Sequence, residues 1–127
     1  MTTFAPAPAL STDLRRWLAH LSDTGRLAVI REGVKLEHQL AAIAKRLDGR
    51  QAAYFPRPGG HDVPVVSGFM SRRGWIAEAM GVTEAQLLQR FRQAAENPLP
   101  WREVPAGEAP CQQVVHKGVD PRQVLPI

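Results

Sequence analysis

The chain has 127 residues, of which 44% are hydrophobic and 22% are charged, a composition typical of one globular domain with a core of its own. No apolar run approaches the roughly 20 residues needed to span a bilayer, and the N-terminus lacks a secretory-signal pattern. The single cysteine, Cys111, excludes an internal disulfide framework, so we expect a cytoplasmic protein. The net charge of +4 is spread among acidic residues, which favours a solvated surface over a nucleic-acid site.

The N-terminal part is predicted to be a flexible tail at 1–10 followed by an α/β domain at 11–97. The tail is rich in Thr, Ala and Pro. Ser11, Thr12 and Asp13 are candidate caps of an amphipathic helix that Gly25 ends. The apolar residues of that helix recur at helical spacing: Leu14, Trp17, Leu18 and Leu21.

Two short β-rich segments flank a second predicted helix. Residues 26–31 and 51–55 are too short for helices, and the first is expected to be a strand buried on both faces. A strand, a helix and a strand in this order predict a right-handed crossover between parallel strands. The helix between them is predicted from apolar residues that Gly49 follows: Leu36, Leu40, Ile43, Ala44 and Leu47.

The stretch 63–81 combines a β-branched run, a glycine turn and a helix, so we expect it to fix where the sheet meets the helices. Pro64 lacks a ladder donor and therefore places this strand at a sheet edge. The loop at 56–62 is expected to return the chain as a hairpin. Ser71 is predicted to cap the helix and Gly81 to end it, with one buried stripe: Trp75, Ile76, Ala79 and Met80.

The last part of the chain is predicted to be a helix followed by a proline-rich connector. Thr83 and Gln86 have the spacing of a capping box, and the helix has an apolar side of Leu87, Leu88 and Phe91 before it ends at Asn97. Residues 98–127 are expected to be a connector with one short strand at 111–116. Because the sequence stops on Leu-Pro-Ile, we expect an interrupted chain, whose apolar tail requires a partner.

Few residues carry a pattern that indicates chemistry. The histidines share no ligand spacing and are expected at the surface or in caps: His20, His38, His61 and His116. Cys111 is expected to be a small packed hydrophobic residue. Arg72 and Arg73 begin a predicted helix, where free N–H groups favour anions, and are therefore a weak candidate anion contact. The preferred alternative is that these arginines only solvate an exposed helix start.

Three segments resemble the N-terminal region of the UbiD family, the prenylated-flavin-dependent decarboxylases and carboxylases of aromatic and α,β-unsaturated acids. They read DLRRWLAHLSDTGRLAVI, KLEHQLAAIAKRLDGRQAAYF and VPVVSGFMSRRGWIAEAMGV, and the tail CQQVVHKGVDPRQVLPI resembles the family's link to its central domain. Residues at the family's positions are Asp13-Leu14-Arg15, Trp17-Leu18, Gly25, Leu27, Ile43-Ala44, Pro64-Val65-Val66 and Ala79-Met80-Gly81. Phe69-Met70 and Trp75 depart from the residues common there.

The resemblance implies a small mixed sheet flanked by about four helices, as the N-terminal domain of a carboxy-lyase. In the family, prenylated FMN, a divalent metal, a monovalent cation and the catalytic residues belong to later domains, so no catalytic, cofactor-binding or metal-binding residue is assigned to this chain. The isolated chain is therefore expected to be inactive.

The implied partner is a catalytic domain or subunit of a UbiD-like enzyme, with a possible homo-oligomer and neither nucleic acid nor membrane. The chain is then a truncation, a proteolytic remainder or a separately encoded subunit. One alternative is a stand-alone, non-catalytic binding or scaffold subunit with the same fold. A basic nucleic-acid module is another, and it rests on the charge balance alone.

Overall fold

The computed structural model of the protein describes residues 13–127. Within that range it has four α-helices and three strands: α1 Leu14–Asp23, β1 Leu27–Val29, α2 Ala41–Leu47, β2 Ala52–Phe55, β3 Val65–Ser67, α3 Arg73–Ala79 and α4 Leu87–Glu96. The α/β fold with a small mixed sheet and about four helices is confirmed. The tail predicted at 1–10 and the cap candidates Ser11 and Thr12 lie outside the described residues.

The three strands form one sheet in the order β1-β2-β3. β1 and β2 are parallel, with Leu27 opposite Ala52, as expected for a strand-helix-strand crossover. β2 and β3 are antiparallel, with Phe55 opposite Val65, so the predicted hairpin forms. β3 lies at an edge of this sheet, which confirms the position inferred from Pro64.

Each face of the sheet carries its own apolar cluster, because successive side chains of a strand point to opposite faces. The face that we call the α1 face contains Leu27, Ala52, Tyr54 and Val66, and α1 and α3 pack on its Leu27 end. Its cluster consists of Trp17, Leu21, Ala52 and Trp75, with Leu18, Leu27, Phe69 and Ala79 against it. The core of the domain therefore depends on two tryptophans from different helices.

The opposite face, called the α2 face, contains Ala53, Phe55 and Val65. Val34, Ala53 and Phe55 are its buried residues, and partly buried side chains complete the cluster: Ile30, Leu40, Ile43, Leu47 and Val65. Leu40 thus belongs to this cluster and is separated from Trp75 by the sheet. The two residues lie in different clusters because α2 and α3 cover different faces of the sheet.

β1 is not buried on both faces, contrary to the prediction. Leu27 packs in the α1-face cluster, but Val29, two residues further along the same face, is 67% exposed. α1 covers only the beginning of the strand, so the far end of this face is left open. An apolar run alone does not reveal how far a neighbouring helix extends.

The second helix begins later than its apolar spacing predicts. Residues Leu36–Leu40 form an irregular turn, in which Glu37 has an extended ψ of 124° and His38 a positive φ of 62°. Leu36 packs instead against the turn at Gly59, where its Cγ lies 2.7 Å from the position that a Cβ would occupy. Regular helix starts at Ala41 and stops before Gly49, whose φ is 69°.

α3 is shorter and differently capped than predicted. It begins at Arg73 after Arg72 at the N-cap position, so Ser71 does not cap it, and no side chain makes a cap hydrogen bond there. Gly81 follows the helix with a φ of 67°, as expected for a left-handed stop. Of the predicted stripe only Trp75 is fully buried, with Ala77 beside it, while the other members are half-buried: Ile76, Ala79 and Met80.

The predicted cap forms at the start of α1 but not at the start of α4. Asp13 caps α1, and its Oδ1 accepts a hydrogen bond of 2.8 Å from the backbone N–H of Arg15. At α4 the Gln86 Oε1 accepts a bond of 3.1 Å from the N–H of Thr83, but the helix begins only at Leu87. The sequence signature therefore marks a turn that precedes the helix.

The prediction of a strand at 111–116 is wrong. The segment after α4 contains single helical turns, Ala106–Glu108, Pro110–Gln112 and Pro121–Gln123, and no strand within the described residues. Val114 and Val115 are 73% and 64% exposed, and Cys111 is exposed rather than packed. A β-rich segment becomes a strand only where a neighbouring strand pairs with it.

Candidate functional site

The main polar cluster of the described part joins α1, the residue before β1, and α3. Arg26 and Glu78 form a bidentate pair, with Nη1 to Oε2 at 2.5 Å and Nη2 to Oε1 at 2.9 Å. The same Oε1 lies 2.7 Å from Nε2 of His20. Three segments that are far apart in sequence thus meet at one carboxylate.

Aromatic rings form one side of this cluster. The Trp17 and His20 rings stack with centroids 5.5 Å apart, and the Arg26 guanidinium lies 5.7 Å from the centroid of the Trp75 ring. The Trp17 indole N–H donates a 3.0 Å hydrogen bond to the carbonyl of Phe69. The polar cluster therefore lies directly on the α1-face core.

The electrostatics of the cluster favour a permanently charged pair. The hydrogen bond from Arg26, and secondarily that with His20, lowers the pKa of Glu78 from its ordinary 4.5 to about 2, although burial opposes the change. The same hydrogen bond raises the pKa of Arg26. A general acid or base requires a pKa near the working pH, so this arrangement suits a structural clamp better than proton transfer.

No local pattern in the sequence predicts this clamp of His20, Arg26 and Glu78. His20 is expected at the surface or in a cap, without a connection to Glu78. The partners are 52 and 58 residues apart, and no local spacing signals their contact. The prediction that histidines lie in surface or capping positions does not describe His20, whose side chain is 25% exposed within the cluster.

The structure places Arg72 and Arg73 together at the start of α3, both exposed. A carboxylate of the chain itself lies nearby, because the Glu84 Oε1 is 2.7 Å from the position that a Cβ on Gly74 would occupy. Neither arginine lines the surface depressions beside Ile30 and Ile43, beside Arg90 and Leu99, or along α1. Their role as an anion contact stays a prediction.

The described residues do not fit a divalent metal. No group of three His, Cys, Asp or Glu side chains within 13–127 is arranged to hold a metal ion. In the same range, no helix has both the length and the apolar character to cross a membrane.

Residues 18–95 match the family model of the 3-octaprenyl-4-hydroxybenzoate carboxy-lyase N-terminal domain, UbiD_N. This match covers well over half of the chain. The chain belongs to the UbiD family. The resemblance inferred from the sequence is therefore confirmed.

Two curated relatives of this UbiD-family chain are uncharacterized proteins. One, encoded in the cooM 5′ region of Rhodospirillum rubrum, is 30% identical over 130 aligned residues that include 98% of this chain and 27% of that protein. The other, from Archaeoglobus fulgidus, is 26% identical over 136 aligned residues, 89% of this chain and 28% of that protein. The chain thus spans about a quarter of the length of the curated relatives it matches.

Two solved structures of the UbiD-class enzyme HmfF from Pelotomaculum thermopropionicum have the same fold. An evolved dimeric form in complex with prFMN matches with a TM-score of 0.82 and 36% identity, covering 92% of this chain and 28% of that one. HmfF in complex with FMN matches with a TM-score of 0.80 and 36% identity, covering 90% and 26%. The similarity therefore extends beyond the segment that the family model recognises.

Proposed function

We propose that this chain is the N-terminal domain or subunit of a UbiD-type, prenylated-FMN-dependent carboxy-lyase that acts on an aromatic or α,β-unsaturated carboxylic acid. The observation that carries the proposal is the match to HmfF at 36% identity over 92% of this chain, which spans only 28% of that enzyme. In this proposal the catalytic residues, the prenylated FMN, a divalent metal and a monovalent cation belong to other domains. In the same proposal the complete enzyme is a cytoplasmic homo-oligomer.

The role of this chain in the proposal is structural. Its polar cluster is an ion pair held ionised by mutual hydrogen bonds, which ties two helices to the sheet. Residues 11–97 form the α/β domain and residues 98–127 form the connector toward the catalytic part. Support for the connector comes from large apolar side chains left exposed along it: Leu99, Trp101, Val104, Val114, Val115, Val119, Leu125 and Ile127.

Exposed apolar side chains of this kind indicate a missing contact rather than a surface adapted to water. Trp101 is 80% exposed and Leu99 is 89% exposed, so neither contributes to the core of the described part. In the proposed enzyme the catalytic part covers them. The alternative function, a stand-alone scaffold subunit with the same fold, requires that some other protein cover the same surface.

The test is to purify this chain alone and together with the UbiD-like catalytic polypeptide of the same organism, under conditions that supply prenylated FMN. We expect that the chain alone shows no flavin absorbance and no release of carbon dioxide from aromatic or α,β-unsaturated acids. With the catalytic polypeptide we expect a stable complex that releases carbon dioxide. A flavin that co-purifies with the 127-residue chain alone would overturn the structural role.

The connector is tested in the same complex by Trp101→Asp. Because Trp101 is 80% exposed, we expect this variant to fold normally but to lose association with the catalytic polypeptide. A matched control is Ala41→Asp, at the exposed first residue of α2, which should retain association. If Trp101→Asp binds as tightly as the control, residues 98–127 are not the connector.

A further inference from the structure

The helix α4 is amphipathic, but most of its apolar side is exposed. Its apolar residues recur at helical spacing: Leu87, Leu88, Phe91, Ala94 and Ala95. Leu87, in the first turn, is buried, whereas Leu88 is 65% exposed and Phe91 is 50% exposed. We call the four exposed members, residues 88, 91, 94 and 95, the α4 stripe. A helix of this length draws most of its stability from packing of its apolar side, so the stripe requires a contact.

A surface depression of about 620 Å³ extends from the α4 stripe toward the connector. Arg90, Gln93, Ala94 and Asn97 line it from the helix and its end, and Leu99 lines it from the first residues of the connector. Ala94 belongs to both the stripe and the depression, so the two form one continuous surface. The α4 stripe therefore adjoins the segment that, in the proposed function, leads to the catalytic part.

Two arginines flank the α4 stripe. Arg90 and Arg92 precede and follow Phe91, so they lie about 100° to either side of it around the helix. Neither arginine forms an ion pair within residues 13–127. Apolar side chains between unpaired cations fit a partner surface that is apolar at its centre and carries carboxylates at its rim.

We propose that the α4 stripe and the adjoining depression are a docking surface for the catalytic part of the UbiD enzyme, an inference that rests on the proposed function. This chain corresponds to 28% of the matched HmfF chain, so most of the proposed enzyme lies outside it. The docking face of the catalytic part is apolar and is bordered by Asp or Glu side chains. It contacts α4 in addition to the connector.

The size of this surface favours the catalytic part over a second copy of the chain. The ten residues of α4 extend over about 15 Å, at 1.5 Å per residue. A stable complex of two free proteins buries about 800 Å² on each partner, which is more than one side of so short a helix provides. A partner that the connector also holds is present at a high effective concentration, so a small additional interface is enough to keep it on α4.

The test measures the binding of the 127-residue chain to the UbiD-like catalytic polypeptide of the same organism by surface plasmon resonance. Phe91→Ser should weaken binding by about tenfold or more, because it removes the largest side chain of the stripe. Gln89→Ser, about 200° around the same exposed helix, is the matched control and should leave the affinity unchanged.

Two further variants separate a lost contact from a lost fold and test the charged rim. Leu88→Ser should weaken binding while the thermal unfolding of the free chain stays that of the wild type, since Leu88 is 65% exposed. Arg92→Glu should slow association, with the largest effect at low salt, because the cation faces carboxylates of the partner. An unchanged association rate would refute the acidic rim.

The outcomes distinguish this inference from the proposed function. If Phe91→Ser and Leu88→Ser both bind like the wild type, α4 is not a docking surface, and the proposed function still stands. If the wild type does not bind the catalytic polypeptide, both are wrong. Self-association of the free chain that Phe91→Ser abolishes, and that the catalytic polypeptide does not displace, would assign the α4 stripe to a second copy and overturn the inference.

Discussion

Replacing Glu78 by Gln tests whether the clamp of His20, Arg26 and Glu78 stabilises the fold through charge. The substitution keeps the size of the side chain but removes the negative charge that Arg26 contacts at 2.5 and 2.9 Å. It leaves Arg26 without its ionic partner at a site where the guanidinium side chain is only 22% exposed. The free energy of unfolding should therefore fall, and the loss should depend on pH.

The magnitude follows from the pKa of Glu78. A carboxyl group whose pKa falls from 4.5 in the unfolded chain to about 2 in the folded protein contributes at most about 3.4 kcal/mol. Solvent screens part of this, since the Glu78 side chain is 31% exposed. We expect Glu78→Gln to lower the free energy of unfolding by about 1–2 kcal/mol at pH 7.

The pH dependence has a defined sign. Because the folded-state pKa is depressed, the contribution is complete above about pH 5 and is lost as the pH falls toward 2, with about half remaining near pH 3. Urea unfolding of the wild type and the variant at pH 7, 5, 4 and 3 measures this directly. The difference between the two proteins should shrink steadily at the acid end.

Glu96→Gln, at an exposed residue of α4, is the matched control and should change neither the stability nor its pH dependence. Two results would refute the reasoning. One is a Glu78→Gln loss that is as large at pH 3 as at pH 7, because the effect would then come from packing. The other is no loss at pH 7, which would show that solvent screens the pair completely.

Three further predictions concern packing, backbone conformation and the tail. Trp75→Ala should lower the free energy of unfolding by about 3–5 kcal/mol, since Trp75 is 6% exposed in the α1-face cluster, and an unchanged thermal melt would contradict this. Gly74→Ala should raise the melting temperature, because the new methyl group displaces only the flexible end of the Glu84 side chain. Gly59→Ala should lower it, because φ is +61° and the Leu36 side chain occupies the position of the new methyl group. Hydrogen exchange in residues 117–127 should be much faster than in Val65–Ser67; equal protection would place this tail in the core.

Local sequence patterns determined which elements exist and how the strands connect. The leucine and tryptophan spacing of α1, the capping Asp13 and the stops at Gly49 and Gly81 all act over a few residues, and they appear where predicted. Pro64 placed β3 at an edge for an equally local reason, the missing N–H donor. The ordered set of such patterns was also sufficient to indicate the UbiD family.

Helix boundaries and strand partners were harder to predict, because they depend on contacts with distant residues. Apolar spacing alone extended the second helix back to Leu36, whereas Leu36 packs on the turn at Gly59 and the helix begins at Ala41. The segment 111–116 has the composition of a strand but no strand beside it. The β-propensity of a segment favours an extended conformation, but a strand forms only where another segment of the protein pairs with it.

The clamp was decided by the tertiary structure alone. His20, Arg26 and Glu78 are ordinary surface residues in the sequence, with no spacing that connects them. They meet because α1 and α3 pack side by side on the same end of the α1 face, over Trp17 and Trp75. Sequence periodicity fixes which side of each helix faces the sheet, but only the packing of the helices brings charges 52 residues apart to within 2.5 Å.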